Sequence, residues 1–407
     1  MTTNASATSA SAQNATTQSA TAKTVYYTGV GPQLTLHDID IEAAALHQRG
    51  TLTLSANVQY AWPHPSRRFL YVVSSNGGPG AAGDRHFANA LSIEPGTGAL
   101  RLHGPAAVLR ARPLHVNVDP SGTFLFTAYN DPSTVTVHRL GADGTIGAEV
   151  MQPAGLDFGI FAHQILCLPD GRTAILVTRG NDATPTRPED PGALKVFTLA
   201  EGKLANRASI APGGGANFGP RHLDLHPSGR WAFVSIERQN KLHVYARDTA
   251  GGLAPTPLFV RDTLENPAPR VQQGAGAIHV HPNGRFVYLT NRTFPVAGRD
   301  GRLTATGGED SIAVFAIDQN TGAPTRIQNI DGRGVQLRTF GIDHSGRLLA
   351  VASIMPMPAA AGSHDPPIPA GITVFRIGDD GMLAFARRYD VATEAGQQFW
   401  SGMVAID

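Results

Sequence analysis

The sequence is short of cysteine, of long apolar runs, of helical periodicity and of excess charge, and each shortage excludes something. One cysteine, Cys167, among 407 residues rules out an intrachain disulfide framework and a cysteine-ligated zinc site. It also fits a reducing compartment. No apolar stretch reaches the ~18–20 residues needed to cross a bilayer, so no membrane partner is expected. The formal charge is +1, and no basic stretch is dense enough for nucleic acid. Met1 to Lys23 is mainly Ser, Thr, Ala, Asn and Gln. That segment lacks the apolar core of a secretion signal and has too little apolar surface to order itself. The expectation is a disordered tail over 1–23, a single domain over 24–407, and a cytoplasmic setting.

What the chain has is turns: 45 glycines and 29 prolines suit many short strands. One unit recurs, an apolar strand, a tight turn and a second apolar strand. The turns are His64-Pro65-Ser66-Arg67, Asp119-Pro120-Ser121-Gly122, Leu168-Pro169-Asp170-Gly171, His226-Pro227-Ser228-Gly229, His281-Pro282-Asn283-Gly284 and Asp343-His344-Ser345-Gly346. Their second residues fall at 65, 120, 169, 227, 282 and 344, at or somewhat above the ~40–50-residue period of a four-stranded propeller blade. A third, alternating strand follows most of them, as in Thr134-Val135-Thr136-Val137 and Ile372-Thr373-Val374-Phe375. The six turns give six blades. A seventh is completed by the termini: the chain ends on an inner strand, Gly402 to Asp407, and begins with three strands near Val25, Leu34 and Thr51 that have none. The fold class is therefore all-β, a seven-bladed β-propeller of four-stranded blades closed by pairing of its ends, which removes the open sheet edges.

This topology puts the loops that enter each inner strand and those that leave each second strand on one face. Four of the latter are long, 76–87, 179–192, 292–310 and 354–371. Loops beyond ~12–15 residues in a compact domain are usually functional or disordered, and these are expected to wall a central pocket. On the same face stand His163, Arg221, His222, Glu237 and Arg292, from neighbouring blades. Arginine forks pair with carboxylate or phosphate oxygens and hold charge that develops on an ester oxygen. Histidine is the usual proton carrier near neutral pH. Asn130, Arg179 and Asn291 also follow second strands and are weaker binding candidates.

Gly219-Pro220-Arg221-His222 with His226-Pro227, Glu237 after it, Asn291-Arg292-Thr293, and Phe340-Gly341-Ile342-Asp343-His344-Ser345-Gly346 together resemble the seven-bladed propeller lactonases. That group includes propeller-type 6-phosphogluconolactonase and carboxy-muconate lactonizing enzyme. The resemblance runs from Val25 to Asp407. It implies that His163, Arg221, Glu237 and Arg292 match the family's proposed active-site His, Arg, Glu and Arg. The loops after Arg179, Arg292 and Ile354 are longer than in the family's shorter members, which bears on the size of the substrate.

Each candidate also has a structural reading. Arg221 could bond loop carbonyls, and His163 could be a satisfied core histidine. Glu237 and Arg292 could be solvated rim charges, with Arg238 tying up Glu237. His222 is expected to pack behind Arg221. His226 and His281 lie in turns on the opposite face and are expected to be structural. Cys167 is expected to be buried and inert. His64, His115, His138 and His243 show no metal-ligand spacing, and no metal or cofactor is expected.

The leading functional expectation is a monomeric, metal-independent lactonase acting on a small acidic lactone, sugar-acid or muconolactone-like. His163, Arg221, Glu237 and Arg292 are its catalytic candidates, and His222, Arg179, Asn130 and Asn291 its substrate-binding candidates. The alternatives are a muconate-type lactonizing cycloisomerase, which would take an unsaturated acid, and a non-catalytic binding propeller.

Overall fold

The computed structural model describes residues 23–248, 251–267, 271–297, 303–304, 306–357 and 367–407. The tail proposed over 1–23 thus falls almost wholly outside the described residues. Its last member, Lys23, opens the first strand, Lys23–Val30. Seven blades, each built on four antiparallel strands, stand in a ring. Their inner strands are Asn57–Pro63, Pro113–Val118, Ala162–Cys167, Pro220–Leu225, Gln273–Val280, Leu337–Ile342 and Gln398–Ile406. The last of these pairs with Lys23–Val30, so the two ends of the chain share one blade. The outermost strand of that blade, Ala45–Thr53, begins earlier than its alternation suggests. Its entry is anchored by Ala44 and Leu46, which pack on Leu348, Ala350 and Val374 of the preceding blade. Among the described residues helix is confined to two single 3-10 turns, Pro212–Gly215 and Glu237–Gln239.

Second strands such as Trp231–Ile236 are buried along their whole length. They are apolar throughout because blade faces pack on both sides of them. The tight turns at the opposite end from the long loops tie the blades together. Nε2 of His64, His226 and His281 each reach the carbonyl of the next blade's turn glycine, Gly122, Gly284 and Gly346, at 3.0, 2.8 and 2.8 Å. In His226 the other ring nitrogen accepts the Ser228 backbone N–H, so the neutral ring carries its proton on Nε2 and donates it across the blade boundary. Burial lowers the His226 pKa, in keeping with that neutral form. These histidines are structural, as their position in the turns implies. His226→Ala should therefore cost about 1–3 kcal/mol of stability with kcat unchanged. A thermal melt beside a rate measurement checks this, and a lost rate at unchanged melting temperature would contradict it.

A β-bulge recurs near the entry end of every inner strand, visible as a register slip against the second strand, or in the closing blade against Lys23–Val30. The bulged residues are Gln59, Leu114, His163, Arg221, the Gly276-Ala277 pair, Arg338 and Phe399. A bulge re-aims a side chain that regular pairing would hold in the sheet. Here it supplies a ring of seven positions around one end of the axis.

Candidate active site

A cavity of about 570 Å³ opens at that end of the ring, and all seven blades contribute to it. Two sets of positions line it. From the bulges come Leu114, His163 and Arg338, and from the ends of the second strands come Asn130, Arg179, Glu237, Arg292 and Ile354. Pro79, Asp182, Phe294 and Met355 of the long loops close its sides. Those loops therefore wall the pocket where they are described. The loop from Arg292 also folds into a small hairpin, Val296–Ala297 with Leu303–Thr304.

Glu237 is the electrostatic centre. It opens a 3-10 turn, and its backbone N–H donates to the Gly219 carbonyl at 2.9 Å. Gly219 has φ +48°, and a Cβ there would lie 2.4 Å from the Arg238 side chain, so the turn requires glycine. Gly274 leaves room for Glu237 itself, since a Cβ there would lie 2.8 Å from Glu237 Cγ. The Glu237 side chain is 6 % exposed. It accepts Arg179 Nε at 2.7 Å on one oxygen and an Arg292 terminal nitrogen on the other. Burial raises its pKa, but Arg292, Arg179 and Arg221 outweigh that and bring it down to about 2. It is an ionised clamp between two arginines. Arg238 does not tie it up. Arg238 pairs with Asp182 at 2.9 Å and Glu189 at 3.3 Å, and Asp182 in turn takes Arg179 Nη2 at 2.7 Å.

His163 lines the cavity, and its Nδ1 is sealed without a hydrogen-bond partner, which leaves Nε2 as the nitrogen toward the cavity. Phe161 stacks on it at 6.4 Å and 13° and also underlies the Arg179 guanidinium at 5.7 Å. Phe161 has φ +59°, a left-handed conformation of the kind that clusters at functional sites and costs of order 1–3 kcal/mol. Burial lowers the His163 pKa well below its ordinary value, and Arg221, Arg338 and Arg292 add to the effect. The imidazole is neutral at physiological pH.

Arg221 is 1 % exposed and stands behind the cavity lining. A terminal nitrogen donates to His222 Nδ1 at 3.1 Å, and the His222 ring meets His163 edge-on at 5.0 Å. Arg221 and His222 thus form a layer beneath His163: His222 packs beside Arg221, and neither Arg221, expected as a catalytic residue, nor His222, expected among the substrate-binding residues, lines the cavity. Of the weaker candidates, Arg179 and Asn130 reach the cavity. Asn291 does not: its Nδ2 bonds the Thr263 carbonyl at 2.9 Å and Ser311 Oγ at 3.0 Å. It neighbours Arg292 on a strand, and successive side chains point to opposite faces.

Sequence reasoning missed Arg112 and Arg338, both on the cavity wall. A signal for Arg338 was present. His163, Arg221 and Arg338 each stand five residues before the first residue of their turns, Leu168, His226 and Asp343. Cys167 is buried and free, and burial raises its pKa, which makes the thiol unreactive. Among the described residues no three His, Cys, Asp or Glu are grouped to hold a metal ion, and no helix is long and apolar enough to cross a membrane.

The arrangement can hold an ester carbonyl near Arg292, place a neutral imidazole beside it and surround both with positive charge. Comparison with known proteins agrees in kind. Residues 21–354 match the family described as lactonase, 7-bladed beta-propeller. The chain is 28 % identical over 311 residues to a 6-phosphogluconolactonase of Pectobacterium carotovorum, covering 67 % of this chain and 84 % of that one. It is 26 % identical over 333 residues to the 6-phosphogluconolactonase of Bacillus subtilis, covering 81 % and 86 %. A periplasmic gluconolactonase of Pseudomonas aeruginosa superposes with a TM-score of 0.67 at 20 % identity over 94 % of this chain and 99 % of that one, a likeness of fold.

Proposed function

Because the chain belongs to the seven-bladed β-propeller lactonase family, we propose that this cavity hydrolyses the ring ester of a small acidic lactone, with His163 as general base and Arg292 as the holder of the oxyanion. The observation that carries the proposal is the pairing of a neutral, cavity-facing imidazole with a guanidinium fixed by Glu237.

Water attacks the carbonyl carbon while His163 accepts its proton. The charge that develops on the carbonyl oxygen is met by Arg292, held in place before the reaction begins. The ring C–O bond then breaks, and the imidazolium returns its proton to the departing alkoxide. The product is a hydroxy acid that ionises and releases one proton to solution. Glu237 at a pKa of about 2 is too weak a base for this step and serves to orient Arg292 and Arg179. Arg221 does not line the cavity and acts as a positioning residue through His222 and through its charge. Relatives named 6-phosphogluconolactonase support hydrolysis over lactonizing cycloisomerisation and over a binding-only propeller. The lone buried Cys167 fits a cytoplasmic setting.

The test is proton release, followed with a pH indicator, across sugar-acid lactones with and without phosphate, muconolactones and alkyl lactones. Acidic lactones should be turned over fastest. Arg292→Ala should lower kcat by about 10²–10³-fold, the range for removal of one oxyanion donor. Undiminished turnover in Arg292→Ala would remove it from the mechanism, and silence across the whole panel would refute the proposal.

A further inference from the structure

Four arginines line this cavity, with Arg221 behind them, and the four divide into two groups by what neutralises them. Arg179 and Arg292 share Glu237, and Arg179 also takes Asp182. Arg112 and Arg338 line the cavity, yet neither has a carboxylate partner among the described residues. Each spends only its Nε, and on a neutral acceptor: Arg112 on Gln59 Oε1 at 2.9 Å, Arg338 on the Phe399 carbonyl at 3.1 Å. Their four terminal nitrogens have no hydrogen-bond partner among the described residues, and none of them is sealed from the cavity.

Both guanidiniums also converge on one ring, with Arg112 5.5 Å and Arg338 3.5 Å from the centroid of Phe399. Phe399 is the bulged residue of the closing strand, and Arg338 is the bulged residue of the neighbouring one. Arg338 is thus mounted on a scaffold strand and Arg112 immediately before one, Pro113–Val118, and the pair is held by a backbone carbonyl, the Gln59 side chain and an aromatic face. Leu114 and Ile354 supply apolar lining beside it. Burial lowers the pKa of both groups, that of Arg112 to about 10, and Arg221 and Arg292 press Arg338 further down. Two adjacent, half-buried cations without a counter-ion repel each other and their surroundings, and an arriving anion relieves that repulsion.

We infer that Arg112 and Arg338, seated on Phe399, form an oxyanion subsite for an acidic group of the substrate remote from the scissile ester, either a carboxylate or a phosphate. Its role in turnover rests on the lactonase reading above. Its ability to bind an anion does not. The fork geometry of two guanidiniums suits the paired oxygens of either group. The subsite would fix the far end of the lactone while His163 and Arg292 act on the ring, and so separates acidic from neutral lactones.

The experiment titrates inorganic phosphate, and separately acetate, into wild-type protein, Arg112→Gln, Arg338→Gln and the double variant by calorimetry. In parallel it measures KM and kcat for gluconolactone and its 6-phospho ester. Phosphate binding should weaken at least tenfold in each single variant. KM for the phosphorylated lactone should rise about 10–100-fold, and at least tenfold more than KM for the neutral lactone. The melting temperature of Arg338→Gln should hold or rise, because a repelled cation has been removed. A tenfold preference for phosphate or for acetate supports the subsite either way and names the group. Phosphate binding lost in the variants with no lactone turned over by any protein would leave the subsite standing and overturn the lactonase reading. Unchanged phosphate binding in the double variant, equal losses on both lactones, or a lowered melting temperature with loss of both would overturn the subsite.

Discussion

His163→Asn lowers kcat by about 10²–10⁴-fold, the usual contribution of a positioned general base, and leaves the fold intact. Asparagine fills part of the same space against Phe161 but offers no titrating nitrogen. The pH profile distinguishes lost catalysis from lost packing. In the free protein, burial together with Arg221, Arg338 and Arg292 holds the His163 pKa well below its ordinary 6.5. The imidazole is therefore unprotonated and competent from mildly acidic pH upward, and the acid limb of kcat/KM lies below the ordinary histidine range. An anionic lactone offsets the arginine charges when it binds. In the complex the imidazolium is less disfavoured, so the acid limb of kcat lies at higher pH than that of kcat/KM. Both limbs vanish in the Asn variant. A variant with kcat within fivefold of wild type and the same acid limb would show that the base is elsewhere.

Glu237→Ala has the largest expected effect on stability and abolishes activity as well. The carboxylate is buried between Arg179 and Arg292, and its removal leaves two guanidiniums facing each other. Breaking such a pair costs about 3–5 kcal/mol, because a buried charge is left uncompensated. The sign of the pH dependence follows from the lowered pKa. Folded Glu237 titrates at about 2, against 4.5 for an unperturbed glutamate. Its stabilisation is fully present above 4.5 and lost as pH falls toward 2. The gap in melting temperature between wild type and Glu237→Ala should therefore be wide at neutral pH and close on acidification through that window. Millimolar formate should restore part of the activity by entering the vacated position. An equal melting temperature at neutral pH would mean that the clamp contributes no net stability. Arg338→Gln is the converse: one substitution removes a counter-ion and destabilises, the other removes a cation with no carboxylate partner among the described residues and does not.

Much of this molecule was legible because its governing signals are local. A tight turn such as Pro-Ser-Gly or Pro-Asn-Gly between apolar strands is decided by a handful of adjacent residues, and the six tight turns with complementary ends specify the ring and its closure. Strand periodicity also placed His163, Glu237 and Arg292 at one rim. It misjudged Asn291, because residue position along a strand names the rim while the pleat decides the face. The ring of bulged positions was readable in principle, since counting five residues back from each turn returns Gln59, Leu114, His163, Arg221, Gly276 and Arg338, of which Leu114, His163 and Arg338 line the cavity. Only the bulges, however, turn those residues inward.

What the chain's order could not decide was pairing. Glu237 lies 58 residues from Arg179 and 55 from Arg292, and Arg338 lies 61 from Phe399. Arg238, its immediate neighbour, pairs elsewhere. The sequence by itself determined blade number, closure and the rim on which the polar residues stand, through turn chemistry and alternation. The tertiary structure alone decided which cation meets which anion, because those distances are set by the rotation from blade to blade around the axis. It thereby decided that Glu237 is a clamp, that His163 is neutral, and that Arg112 and Arg338 have no carboxylate partner among the described residues.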